Sequence, residues 1–150
     1  MLRRTFLRRV VQAAFVSPAV FAGHRAFAKA DISFPELYSK IGVLGLEISP
    51  RVKELVGQTV SMQGFMAPPL KAEANFFVLT EIPMAICPFC SSDADWPSNI
   101  VVVYMEDKTT FAPPSIPILT TGTLEFGSWT DPETGFVSLL RIRDATFQKA

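Results

Sequence analysis

The chain has 150 residues, 49% of them apolar and 19% charged, with 14 basic against 14 acidic side chains and a single histidine. Six basic residues (Arg3, Arg4, Arg8, Arg9, Arg25, Lys29) lie before Asp31, so the remainder carries eight basic against fourteen acidic groups, a net charge of −6; such a domain has no cationic footprint for nucleic acid. The one histidine, His24, lies in the same leading segment, which excludes Ser-His-Asp and Cys-His catalysis and any histidine-ligated zinc or copper site from the remainder.

Residues 1–30 read as an export signal: basic MLRRTFLRR, apolar VVQAAFVSPAVFAG, then HRAFAKA. Arg3-Arg4-Thr5-Phe6-Leu7-Arg8 resembles the twin-arginine export motif, with Arg8 where lysine is usual and Leu2 where Ser or Thr is usual. The apolar part, broken by Gln12, Ser17 and Pro18, is too short to span a bilayer. Two cleavage sites of A-x-A form overlap, Ala26-Phe27-Ala28 and Ala28-Lys29-Ala30, so the mature chain is expected to begin at Lys29 or Asp31. No cysteine follows the apolar part, which argues against a lipoprotein anchor; a basic amphipathic helix on the membrane surface, or an uncleaved anchor, is the alternative. The expected product is a periplasmic protein with no stable membrane anchor, a single domain over 31–150 of about 120 residues. Its resemblance to twin-arginine passengers implies folding before export, in a reducing compartment where thiols stay free and a metal can be loaded.

In chain order, residues 31–40 (DISFPELYSK) suggest a short helix, capped by Ser33 with Glu36 completing a capping box, and with Phe34, Leu37, Tyr38 and Ile41 on its apolar face. The glycine-broken stretch 42–46 predicts irregular structure. In SPRVKELVG, Ser49 caps, Pro50 takes the first helical position and Gly57 marks the stop, which predicts one or two turns of helix. From Gln58 the period changes to two. Val60, Met62 and Met66 share one face of a strand over 59–66, and Gly64 on that face marks a bulge or a close backbone approach. The runs 76–82 and 99–105 read as buried strands. The tract EDKTTFAPPSIP cannot be a continuous helix. Strands over 118–126 and 136–147 follow, joined by TDPETG; in the last, Phe136, Leu140 and Ile142 share one face, and Arg141 and Arg143 the other. Asp131 and Glu133 in that turn read as solvated groups rather than a catalytic carboxylate pair, and Trp96 and Trp129 as packing residues rather than a binding face.

Five strands after two short helical pieces, with glycines inside the first and fourth, predict a mainly β fold, a small five-stranded, partly open barrel of the OB kind. The helix usual between strands three and four gives way to the proline-rich run. A β-sandwich is the alternative.

Both cysteines fall in AICPFCSSDADW, inside a long connection between the second and third strands, and three readings compete for them. As a metal site, Cys87 and Cys90 supply half of a tetrahedral zinc set, which Asp93 and Asp95 would complete. Copper(I) is the other metal that two thiolates select, with Met84, Met62 or Met66 as soft helpers that more commonly serve as core. As a structural staple, the pair closes a disulfide in an oxidising compartment. As a redox centre it would need a helix after Cys90, and SSDADWPSN is a poor helix whose acids raise a nearby thiol's pKa.

Taken together, Leu55, Gly57, Val60, Gly64-Phe65-Met66 and Pro68, the strand Phe76-Phe77-Val78-Leu79, Cys87-Pro88-Phe89-Cys90, Pro97-Ser98-Asn99 and Gly122-Thr123-Leu124 resemble a family of exported bacterial proteins, domain of unknown function 3299. The resemblance runs from Phe34 to Phe147. It implies an OB-like barrel with a C-x-F-C loop and an accessory role in metal or small-molecule traffic beside transporter components, and it carries over no catalytic residue.

These readings converge on a non-catalytic periplasmic binding or accessory protein. Its metal ligands would be Cys87 and Cys90 with Asp93 and Asp95 as helpers, its cofactor zinc or copper, and its partner a transporter component or another envelope protein. The alternatives are a protein-interaction module closed by a Cys87–Cys90 disulfide and a thiol-disulfide oxidoreductase.

Overall fold

The structure, a computed structural model, describes residues 29–43, 45–69, 75–85, 96–107 and 110–150. The expected export signal, apart from Lys29 and Ala30, lies outside the described residues, and so do Cys87, Cys90, Asp93 and Asp95. The described elements are β1 (Ala30–Asp31), β2 (Tyr38–Gly42), β3 (Gly45–Ile48), α1 (Pro50–Leu55), β4 (Thr59–Met66), β5 (Phe76–Thr80), β6 (Ile100–Met105), β7 (Pro117–Thr130) and β8 (Val137–Lys149).

Local signals set the elements before β4. The Glu36 carboxylate accepts from the Ser33 N–H at 2.8 Å and from the Ser33 hydroxyl at 2.6 Å, so the capping interaction forms as predicted. The helix it starts is only a 3-10 turn, Phe34–Glu36. The expected helix over 31–40 is therefore corrected: from Tyr38 the backbone is extended and pairs with residues 45–48, so Gly42, Gly45 and Leu46, expected to be irregular, are paired strand residues of a hairpin. Cross-strand bonds take the backbone groups that a second helical turn would have used. Phe34, Leu37 and Tyr38 are buried as the apolar face required, whereas Ile41 is 66% exposed. The second helix matches its signals: Pro50 opens α1, the Ser49 hydroxyl accepts from the Val52 N–H at 3.1 Å, and Gly57 follows the last turn at φ +80°.

The sheet closes at β4. Thr59 through Phe65 pair antiparallel with β7, from Thr59↔Thr123 to Phe65↔Pro117. On the other side Phe65 and Met66 pair with β5, and Val60 and Ser61 with β1 in parallel. β5 pairs antiparallel with β6, β6 parallel with β8, and β8 antiparallel with β7. Hydrogen bonding therefore runs β4-β5-β6-β8-β7 and back to β4, an OB-like ring in which β1 is a sixth strand of the mixed sheet. β2 and β3 form a separate two-stranded sheet.

Alternation in β4 puts Val60, Met62 and Met66 in the core with Ile118, Leu124, Leu140 and Ile142. β5 is buried at every position, as an uninterrupted apolar run predicts, and ends at Thr80; Ile82, expected within it, lies beyond and is 57% exposed. The seam leaves no room at two glycines. A Cβ on Gly64 would lie 2.8 Å from the Thr80 carbonyl oxygen, and one on Gly122 2.5 Å from that of Arg143. Opposite Gly122, β8 carries one more residue than either neighbour, for the register slips against both β7 and β6 around Asp144, which takes φ +48°. The described part of the proline-rich run, 110–116, contains no helix, and Ala112 in it donates its N–H to the Met66 sulfur at 3.4 Å.

Candidate functional site

The connection that carries both thiols in the sequence is held at each end. Where the chain leaves β5, the Thr80 hydroxyl lies 2.7 Å from the Ile82 carbonyl and 3.2 Å from that of Phe65. The Glu81 N–H donates to the Asn99 carbonyl at 3.1 Å, tying departure to return. On the returning side Trp96 is buried, and its indole N–H donates to the Tyr38 hydroxyl at 2.8 Å. Burial pushes the Tyr38 phenol up to about 12, against the pull of the Trp96 bond. Trp96 is therefore a packing residue, as predicted, and it fastens this connection to the root of the β2–β3 hairpin. Cys87, Cys90, Asp93 and Asp95 lie between these two anchors in sequence, outside the described residues. Among the described residues no three His, Cys, Asp or Glu side chains gather as metal ligands. Met62 and Met66, considered as soft helpers, are core residues.

A second polar group assembles on β7 and β8. Arg141 and Arg143 share a face of β8, as predicted, and Glu125 of β7 lies directly across from Arg141. One Glu125 oxygen accepts from the Arg143 Nε–H at 2.9 Å and the Arg141 Nε–H at 3.2 Å. Its partial burial opposes ionisation, but the two arginines outweigh that and hold the carboxyl below its usual range. Arg141 is buried and also donates from Nη1 to the carbonyls of Gly127 and Ser138, at 2.7 and 3.0 Å. The Arg143 guanidinium carbon lies 4.4 Å from the Trp129 ring centroid and 4.7 Å from that of Tyr104, within cation–π range of both.

Tyr104 links this group to Asp131, a turn residue that the sequence predicts as solvated and that is only 5% exposed. One of its oxygens accepts from the backbone N–H groups of Glu133 and Thr134 and from the Thr134 hydroxyl; the other accepts from Tyr104 at 3.1 Å. Burial alone would raise its pKa, yet the bonds from Thr134, Tyr104 and Glu133 bring it below the ordinary value. Asp131 thus organises the turn, while Glu133 remains exposed. The Tyr104 phenol is driven well upward by burial and by the Asp131 charge. Together these contacts fold the far end of the β7–β8 hairpin onto β5 and β6, with Phe136 5.6 Å from Phe76 and Trp129 5.3 Å from Tyr104, ring centre to ring centre.

This arrangement is a clamp in which Glu125 holds the two arginines, Arg143 lies against Trp129 and Tyr104, and Tyr104 reaches Asp131. Among the described residues the most exposed large apolar side chains are elsewhere, on the β2–β3 hairpin. Its root is pinned by Tyr38 and Ile48, while Ile41 is 66% exposed and Val43 fully exposed. The Lys40–Glu47 ion pair across it, at 3.0 Å, is solvated on both sides and contributes little.

The fold is shared with a solved protein. The structure is similar to the crystal structure of a DUF3299 family protein from Pseudomonas aeruginosa PAO1, with a TM-score of 0.54 and 14% sequence identity, over 82% of this chain and 98% of that one. No protein-family model and no curated protein matches the sequence. At this identity the likeness bears on the fold, and it supports the fold that the sequence resemblance implied.

Proposed function

We propose that the chain is an exported, periplasmic binding or accessory protein of the DUF3299 family, without catalytic activity of its own, and that its binding element is the connection between β5 and β6. There Cys87 and Cys90 take a soft or borderline metal, zinc or copper(I), with Asp93 and Asp95 as helpers. What supports this is the pair of anchors, Glu81 on Asn99 and Trp96 on Tyr38, which hold both ends of the segment whose sequence contains both thiols. A loop anchored in this way loses less conformational freedom when it closes on a ligand. The partner is a transporter component or another envelope protein. The fold shared with a DUF3299 protein supports the family reading.

The test is the intact mass and metal content of protein recovered from the periplasm without reductant. Stoichiometric zinc or copper, lost in Cys87→Ser, is the expected result. A second reading, an interaction module whose loop is closed by a disulfide, draws support from the exposed apolar hairpin beside the Trp96 anchor. It predicts a mass two hydrogens lower and no metal. Rapid exchange of that disulfide with a glutathione buffer would point instead to thiol-disulfide oxidoreductase work.

A further inference from the structure

The leader offers two overlapping A-x-A sites, one ending at Ala28 and one at Ala30, and the sequence does not choose between them. The fold treats them differently. Ala30 and Asp31 are β1, paired in parallel with Val60 and Ser61 of β4, and the peptide bond between them lies inside this pairing. Ala30 packs against the core. Just beyond, Ile32 is buried and donates its N–H to the Ser61 carbonyl at 2.9 Å, fastening the strand from its other end. The bond between Ala28 and Lys29 precedes β1 altogether.

A protease commonly takes its substrate as an extended strand whose backbone pairs with the enzyme's own. A bond already paired within a sheet reaches that state only after the local structure opens. The residue just before the cut must also enter a small pocket, and for the second site that residue is Ala30, which the core already holds.

We infer that, if the chain is exported as proposed above and folds beforehand, as its resemblance to twin-arginine passengers implies, its leader is removed between Ala28 and Lys29, the fold itself withholding the second site. A signal peptidase adds water across the Ala28–Lys29 amide, leaving a carboxylate on Ala28 and an α-amine on Lys29. The mature protein begins Lys29-Ala30-Asp31, and β1 stays whole on the flank of β4.

The test is the N-terminus of the periplasmic protein, read by intact mass and terminal peptide. A start at Lys29 is expected. A start at Asp31, lighter by one lysine and one alanine residue, overturns the inference alone; a chain still beginning at Met1 overturns it together with the export reading. The variant Ala26→Glu blocks only the first site. It is expected to accumulate precursor, and undiminished processing to Asp31 in this variant would overturn the inference. As a measure of what β1 contributes, purified protein beginning at Asp31 is expected to melt about 3 °C below protein beginning at Lys29, and equal melting would count against a strand firm enough to shield the bond.

Discussion

The seam where β4, β7 and β8 meet and the β2–β3 hairpin are built from the same kinds of residue, glycines among aliphatics, yet they obey opposite constraints. At the seam, Gly64 and Gly122 are glycine because carbonyls and side chains fill the space a Cβ would need. On the hairpin, nothing lies within 4 Å of such an atom at Gly42, and the aliphatic neighbours Ile41 and Val43 face solvent. Closure of the ring thus depends on atomic fit at the seam, and the hairpin is free of that demand. An apolar surface that the fold does not need is where contact with something else is to be sought.

Substitution by alanine should separate the two regions most sharply. Gly122→Ala is expected to destabilise by about 3 kcal/mol or more, or to prevent folding, because the neighbours it would meet are mainly backbone. Gly42→Ala should change stability by less than about 0.5 kcal/mol. Urea titration of both variants is the check, and similar midpoints would erase the contrast.

Asp131→Asn strikes where the β7–β8 hairpin folds back onto the ring, and should cost about 2 kcal/mol at neutral pH through weakened bonds from Tyr104 and the turn amides. Because the Asp131 carboxyl is held below its ordinary value of 3.8 in the folded chain, its contribution is complete above that pH and is lost as pH falls through the folded value. Acid unfolding of Asp131→Asn should therefore be less steep than that of the parent chain.

Tyr38→Phe tests the join between hairpin root and cysteine connection. It should cost about 1 to 2 kcal/mol by leaving the buried Trp96 N–H without its partner. The sign at high pH is opposite to that of Asp131. Tyr38 keeps its proton to about pH 12 when folded and to about 10 when unfolded, so its contribution is whole below 10 and fades as pH rises towards 12. The variant should lose less stability over that interval. The smallest effect belongs to the hairpin tip, where Val43→Ser is expected to stay within about 0.5 kcal/mol in melting experiments.

What could be read from the sequence was what depends on neighbours along the chain. Alternation located β4, unbroken apolar runs located β5 and β6, and Ser49 with Pro50 located α1. The β2–β3 hairpin was missed because its glycines disguise the pairing, and β1 because two residues carry no period. The Glu125–Arg141 pair was hidden for a more instructive reason. Counting back from the turn at Thr130↔Val137 would put Glu125 opposite Ile142, on the other face; the register shift between Phe126 and Trp129 moves it opposite Arg141. The burial of Asp131 was equally invisible, since an acidic turn residue looks solvated until Tyr104, from a distant strand, is placed beside it.

The two indoles occupy electrically distinct surroundings, one donating to a phenol in the interior and the other within reach of two guanidinium groups. Their emission should differ in colour and in sensitivity to ionic quenchers. Replacing either by phenylalanine would leave a single-colour reporter: Trp96 for events in the cysteine connection, Trp129 for the far hairpin. Changes at the two ends of the molecule could then be followed separately by light, without an attached dye.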